Sequence, residues 1–534
     1  MDRTEASDPD RLAPGTGMAL AAMAAAVFVV TNDFTAPAVA LPTIEHDFNA
    51  DIGSVQWVIN AYSLLFGILI VTGGRLADMF GRRRMFFIGA AIFAGFSALA
   101  GAAQSVPWLI TARALMAIGG ALMWPATIGM TFAALPKAKA GLAGGFILGV
   151  AGLGNALGPM IGGLLTEQAS WRWLFFLNVP IAALACAMTW WKIHQPSPDE
   201  HGRLDYAGMV TISAGLAALL IALDQSSDWG FADWRVILLL ACTVALLVAF
   251  VHIERREGKN ALIPPNIIAN REFAAACTVT ILLAATFYSM LLYLPQFMVK
   301  LLGYGPFEAG VALLPLMILF SGVSFASGPL YNRIGPKKIV CAGGVCYIVA
   351  AYLLSRPDAS SGYLDLVPGM AVAGIGMGLV VSSLTTAAVT TVDEEHASLA
   401  SGVVFMFQTA GGSLGLGLTT AVFTAAAQQH VHNDAIADSL NQLQEHAVNG
   451  VLVGTDGAQA LLARLPGQAT HIKELAADAF AAGMHAGFLL DAGLAVVGLV
   501  VAALYIGGPL RLRPLRAAVD RDRAAAGGSG VVGD

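Results

Sequence analysis

Three ionisable residues lie well inside long apolar stretches: Asp33, in Val29-Val30-Thr31-Asn32-Asp33-Phe34-Thr35, Arg113 and Asp491. A charge at the centre of a bilayer costs about 2.5–3.5 kcal/mol on insertion scales. A chain keeps one there only if it has a partner, faces water or takes up a proton. All three alternatives point toward a transport pathway. Asp33 and Arg113 have opposite charges, so they can pair. Asp33 then carries a proton and Arg113 sets its proton affinity, and protonation frees the arginine. The alternatives are a permanent structural salt bridge or a polar knot of Asp33 with Asn32. Asp491 is the second acid candidate; its plainer reading is a residue snorkelling to an outer crevice beside His485.

The elements that must hold these groups are membrane helices. Of the 534 residues, 57% are hydrophobic and 12% charged, and mean hydropathy is +0.70. Repeated uncharged runs near twenty residues read as spans. Fourteen are predicted, at 18–41, 56–76, 85–105, 107–133, 140–165, 172–192, 206–224, 234–253, 273–295, 307–330, 337–355, 364–386, 397–427 and 484–506. The polar segment before Met18 carries acids among its basic residues, and no cleavage-type site follows, which predicts a retained signal anchor. With a cytoplasmic N-terminus, 21 of the 29 Lys and Arg fall in inside segments and 4 in outside loops. Both termini are therefore expected in the cytoplasm. Asp33 then lies about 12 Å below the outer edge, Arg113 about 9 Å and Asp491 about 10 Å, at 1.5 Å per residue. The five cysteines all sit in apolar runs and read as buried small hydrophobes.

Two inside loops share a pattern. Gly74-Arg75-Leu76-Ala77-Asp78-Met79-Phe80-Gly81-Arg82-Arg83-Arg84 and Gly328-Pro329-Leu330-Tyr331-Asn332-Arg333-Ile334-Gly335-Pro336-Lys337-Lys338 each give G-x-L-x(4)-G and then a basic pair. Such a repeat suggests duplicated halves, as in many secondary transporters. The predicted division is a cytoplasmic N-tail 1–17, a six-helix half 18–192, inserted spans 7 and 8 with their loops 193–260, and a second half 261–506. The second half carries an outside loop 428–483 with two short surface helices, one around Ile472-Lys473-Glu474-Leu475. A disordered tail 507–534 follows. In the first repeated loop Gly81 lets the chain turn sharply, and Asp78 can accept N–H groups at a helix N-terminus. Gly74, Asp78, Gly81, Arg82 and Arg83 thus read as a gating latch.

These residues resemble the major facilitator superfamily, and within it the fourteen-span drug:proton antiporters. The loop from Gly74 to Arg84 looks like the superfamily's loop between spans 2 and 3. Asp33, Thr35, Ala40, Leu41 and Pro42 match the D-x-T…A-L-P signature of span 1, and Trp57-Val58 with Tyr62 that of span 2. Gly154-Asn155-Ala156-Leu157-Gly158-Pro159-Met160-Ile161-Gly162-Gly163 looks like the antiporter signature of span 5. Trp171-Arg172-Trp173-Leu174-Phe175-Phe176-Leu177-Asn178-Val179-Pro180 matches the start of span 6. The sequence departs from the family at Pro37 and Ala38, and at Met116 and Ala117 where the R-x-x-Q-G pattern has Gln and Gly. The resemblance implies an all-α integral membrane protein of the major facilitator fold, with two six-helix halves plus two inserted helices. It implies export by proton antiport across the plasma membrane, with protons, the bilayer and a small amphipathic molecule as partners.

Gly154, Gly158 and Gly162 repeat every four residues, a flat face that another backbone can approach. Pro159 lacks an N–H, so the carbonyl of Asn155 loses its helical partner. That makes a bendable point, with Gly163 beside the same face. Candidate pocket residues are Asn32, Phe34, Tyr62, Phe66, Trp124, Phe287, Tyr288 and Gln408. An aromatic cavity with one or two carboxylates suits lipophilic cations. No phosphate-binding G-x(4)-G-K-[ST] motif and no metal-ligand spacing is present, so no enzyme activity, cofactor, metal or nucleic acid is expected. A monomer is expected. A dedicated exporter of one natural product or lipid, or a non-transporting membrane sensor, are the competing readings.

Overall fold

The computed structural model describes residues 15–193 apart from 51, then 205–229, 233–258, 261–264, 267, 269–437, 448 and 468–507. Among the described residues, fourteen helices are long and apolar enough to cross a membrane. Spans 1 to 4 are Thr16–Phe48, Ile52–Phe80, Arg82–Gly101 and Val106–Ala133. Spans 5 to 8 are Ala140–Gln168, Arg172–Lys192, Tyr206–Trp229 and Trp234–Glu257. Span 9 is Arg271–Lys300, and span 10 is broken into Pro306–Ala312 and Leu314–Ile334. Pro315 has no N–H to offer the carbonyl of Val311, so the helix interrupts itself there. Spans 11 to 14 are Pro336–Leu354, Tyr363–Thr390, Ala397–Ala437 and Ala469–Tyr505.

The largest departures from expectation are in spans 13 and 14. Both run well into the predicted outside loop 428–483. The Ile472–Leu475 piece is the first turn of span 14, not a separate surface helix. Ile472, Leu475, Ala476 and Ala479 are buried at helical spacing, which gives that turn a core-facing stripe. The Leu461–Leu465 piece and nearly all of the two tails lie outside the described residues.

Small residues set how closely the helices pack. Gly89 of span 3 and Gly119 of span 4 face each other so that a β-carbon on either would meet the other's carbonyl, at 2.7 and 2.6 Å. A β-carbon on Gly73 of span 2 would collide with the carbonyl of Ala121. The inserted spans 7 and 8 pack on each other, and span 7 also touches spans 2 and 13. Between spans 7, 8, 9 and 13 lies an apolar cavity of about 510 Å³, bordered by Leu216, Phe250, Cys277 and Phe407. Span 8 turns Ile237, Val244 and Val248 outward, as a lipid-facing helix does. The short link between spans 11 and 12 is stapled by Asp358. It accepts from the Ser360 hydroxyl at 2.7 Å, the Ser361 hydroxyl at 2.9 Å and the Ser360 amide at 2.9 Å. Those donors hold its carboxyl below the ordinary range.

Candidate functional site

Asp33 and Arg113 are paired and almost wholly buried, at 2% and 1% exposure. The sequence depths, about 12 and 9 Å, had put them level. Arg113 Nη1 donates to Asp33 Oδ2, and Arg113 Nε donates to the Val58 carbonyl of span 2 at 3.0 Å. The guanidinium lies 4.1 Å from the Tyr62 ring centre. The second carboxylate oxygen, Oδ1, accepts from Asn178 Nδ2 of span 6 at 3.0 Å. Asn178 also donates to Ser97 of span 3 at 3.1 Å, and Ser97 donates to the Phe175 carbonyl at 2.8 Å. Five spans therefore hold one ion pair. Asn178 is the residue that sequence reasoning passed over. Its signal was present, an uncharged polar residue inside the apolar run of span 6, but nothing in its spacing tied it to Asp33. The expected knot with Asn32 is absent. Asn32 points elsewhere on the helix, and its Oδ1 is buried with no partner among the described residues.

The glycine face of span 5 packs against span 1. A β-carbon on Gly154 would strike the Thr31 hydroxyl, one on Gly158 the Thr35 hydroxyl, and one on Gly162 would lie 2.5 Å from the Ala36 carbonyl. The carbonyl freed by Pro159 is not idle. Thr35 Oγ1 of span 1 donates to Asn155 O at 3.2 Å. Thr35 thus makes good the missing backbone bond, and span 5 continues unbroken through the proline. Gly163 abuts the ring of Phe307, at the start of span 10, and Gly310 lies against Pro159.

At the basic end of the bundle the two repeated loops make matching locks. Gly81 and Gly335 both take positive φ, 95° and 79°, which turns the chain from one span into the next. Asp78 accepts from the Leu399 amide at 2.7 Å and the Ser398 amide at 3.3 Å, at the N-terminus of span 13. Its repeat counterpart Asn332 accepts from the Gly141 amide at 3.2 Å, at the N-terminus of span 5. Each lock thus joins one half of the bundle to the other, and each meets the positive end of a helix dipole. Arg82 Nε donates to Asp78 Oδ1 at 3.0 Å, Nη1 to the Gly129 carbonyl at 3.3 Å, and Nη2 to the Glu394 carbonyl. Arg83 instead donates to the Trp190 carbonyl at 3.1 Å and stacks near that ring and Phe87. Gly74 packs on the Ser398 carbonyl, and Gly328 and Gly141 pack on each other's carbonyls.

The pocket candidates divide. Phe34, Tyr62, Phe66 and Trp124 form one aromatic cluster, closed from the second half by Phe405 of span 13. Ring centres are 5.0 Å apart for Phe34–Tyr62, 5.3 Å for Phe66–Phe405 and 5.2 Å for Trp124–Phe405. Inside this cluster Tyr62 Oη and Trp124 Nε1 are buried with no partner among the described residues. Phe287 and Gln408 border a separate small void of about 20 Å³, and Tyr288 covers Gly412. Asp491 does not snorkel. It has no exposed surface, and His485 turns away, its Nδ1 2.8 Å from the Ser355 carbonyl.

A bundle of fourteen apolar helices, with one buried ion pair at its centre and two locks between its halves, has the build of a membrane transporter. The chain belongs to the Major Facilitator Superfamily, whose sequence profile matches residues 23–416. It is 34% identical over 413 residues to the puromycin resistance protein pur8 of Streptomyces alboniger, covering 76% of this chain and 82% of that one. To the tetracenomycin C resistance and export protein of Streptomyces glaucescens it is 30% identical, covering 90% of both. To the multidrug resistance protein Stp of Mycobacterium tuberculosis H37Rv it is 29% identical, covering 79% and 82%. Its fold is similar to that of the human organic anion transporter MFSD10 (TETRAN), with a TM-score of 0.61 at 12% identity, covering 92% of this chain and all of that one.

Proposed function

We propose that this transporter exports amphipathic small molecules, lipophilic or cationic, from the cytoplasm across the plasma membrane in exchange for protons. The observation that carries the coupling is the buried Asp33–Arg113 pair. A buried pair costs much of what it returns, so a chain that needs only stability has little reason to keep one. In an exchange cycle, protonation of Asp33 releases Arg113 and the five spans it ties together. The bundle then shifts between states open to one side and the other. Substrate enters among Phe34, Tyr62, Phe66 and Trp124, where the Tyr62 hydroxyl and the Trp124 indole N–H stand without partners among the described residues and rings can receive a cation. The Asp78 and Asn332 locks hold the cytoplasmic end shut until that shift. Both termini lie in the cytoplasm on this reading.

The test is drug susceptibility in a pump-deficient host, with and without a protonophore, for wild type and Asp33→Asn. Resistance that vanishes with protonophore and in Asp33→Asn is expected. Full resistance in Asp33→Asn with intact proton coupling would sink the proposal. A dedicated exporter of one natural product is favoured as the second reading by the names of the Streptomyces relatives, two of which are resistance proteins for single antibiotics. Resistance confined to one compound of a broad panel would select it.

A further inference from the structure

One buried carboxylate deep in the second half of the chain has no ion-pair partner among the described residues. Asp491 of span 14 is fully buried, and no ion pair joins it to a lysine, arginine or histidine among the described residues. One oxygen, Oδ1, accepts from Thr419 Oγ1 of span 13 at 2.9 Å. Thr419 is in turn 2.9 Å from Ser289 Oγ of span 9. Thr286 of span 9 donates to the Asp491 backbone carbonyl at 3.1 Å. The other oxygen, Oδ2, is buried with no hydrogen-bond partner among the described residues. Gly487, one turn away, packs on Thr419 and leaves no room for a larger side chain between the two helices.

The surroundings are largely aromatic. Above Asp491, toward the end opposite the basic loops, Tyr293 and Phe423 stack at 4.7 Å and Phe423 meets Phe480 at 5.1 Å. Phe480 lies eleven residues before Asp491, so the aromatic column rises about 16 Å along span 14. Span 9 presents one titratable group to this site, Tyr293, whose hydroxyl is 2.9 Å from Thr420 Oγ1. Span 13 presents threonines, and span 11 presents Gly344 to Leu499 further along the helix. An isolated carboxylate in such a setting cannot stay ionised without a positive partner. Two hydroxyls and an open oxygen are too few ligands for a well-held metal cation, but they suit a proton.

We propose that Asp491, with Thr419 and Ser289, forms a second proton-binding site, independent of the Asp33–Arg113 pair. If the antiport reading above holds, this site adds a proton to the exchange. The uncoupled acid then makes exchange of a monovalent cation respond to membrane potential.

Infrared difference spectroscopy of the full-length protein in lipid, titrated over pH with and without sodium, tests the site without a substrate. A protonated carboxyl in an apolar setting gives an isolated C=O stretching band. Asp491→Asn should remove one such band, and Asp33→Asn should leave it. Thr419→Val, which keeps the side chain's shape, should shift its frequency without abolishing it, so the site remains testable even if Asp491→Asn misfolds. An unchanged carboxyl spectrum in Asp491→Asn and Thr419→Val overturns the proposal, and so does a band that responds to sodium and not to pH. Ethidium exchange in proteoliposomes separates this from the coupling reading. With the band present but no response of wild type to a pH gradient, antiport fails and the proton site stands. With a pH-driven exchange whose dependence on potential is the same in wild type and Asp491→Asn, the added proton fails and antiport stands.

Discussion

Removing one partner of the central pair should produce two deficits with different pH signatures. In Arg113→Leu, Asp33 keeps a single side-chain donor, Asn178 at 3.0 Å, inside a site with almost no exposure. Breaking a buried pair in this way costs about 3–5 kcal/mol. The stranded carboxylate has an escape, because it can take up a proton. From an ordinary value near 3.9 that escape costs about 4 kcal/mol at pH 7 and about 1.4 kcal/mol less for each unit of acidification. The deficit of Arg113→Leu is therefore capped near 4 kcal/mol at pH 7 and falls to about 1.5 kcal/mol at pH 5. Asp33→Asn strands the guanidinium instead, which cannot lose its proton. Arg113 retains the Val58 carbonyl at 3.0 Å and the Tyr62 face at 4.1 Å, and its deficit, with no proton to lose, is flat with pH. The double variant Asp33→Asn/Arg113→Leu leaves no buried charge and should approach wild-type stability. Unfolding midpoints in mild detergent, followed by tryptophan fluorescence at pH 5 and pH 7, make the comparison. An Arg113→Leu protein as stable as wild type at pH 7, or one whose deficit does not shrink at pH 5, would refute the assignment of a buried, ionised pair.

Four further outcomes are expected. Asp78→Ala removes the acceptor for the Ser398 and Leu399 amides and for Arg82. Charge-assisted bonds of about 1.5–3 kcal/mol set the scale, so thiol labelling at Ser398→Cys, a fully buried position, should speed up at least about tenfold. Equal labelling rates would show that the lock is slack. Thr35→Val strands the Asn155 carbonyl and should lower stability by about 0.6–1 kcal/mol. Gly158→Ala pushes a methyl onto the Thr35 hydroxyl and should cost about 1–3 kcal/mol, recovered in part when Thr35→Ala is added. A Gly158→Ala protein that Thr35→Ala cannot rescue would mean the contact is elsewhere. Asp358 has a lowered carboxyl, so its staple is present above the unfolded value of about 3.9 and lost as pH falls through the lower folded value. Amide exchange at Ser360 should be slowed near pH 6 relative to Asp358→Ala, and the two proteins should converge in strong acid.

Membrane helices are legible because hydrocarbon enforces a length and forbids charge. That is why the middle of every span was placed correctly, and why Asp33 and Arg113 stood out. The extension of spans 13 and 14 was hidden. Outside the hydrocarbon a helix is held by its neighbours and not by lipid, and residues 428–437 and 469–483 are too polar to register as spans. The glycine repeat of span 5 showed that a backbone comes close but not which one. Thr35 as the donor to Asn155 needed the two helices in register. Asn178 and Ser97 were equally out of reach, because a hydrogen bond across 145 residues of chain leaves no periodic trace. Asp491 was seen but misplaced, since depth along a helix says nothing about which way the residue faces.

The close helix contacts also govern which genetic changes this protein can absorb. Every single-base change that replaces a glycine by another amino acid introduces a side chain with a β-carbon. At Gly73, Gly89, Gly119, Gly141 and Gly328 that atom would fall on a neighbouring backbone, which cannot swing aside as a side chain can. None of these positions has a conservative one-step neighbour in sequence space. The locks and the span 3–span 4 seam should therefore drift far more slowly than the cluster of Phe34, Tyr62, Phe66 and Trp124, where side chains meet side chains. A transporter built this way keeps its helix seams almost mutationally frozen while its ring contacts stay free to vary.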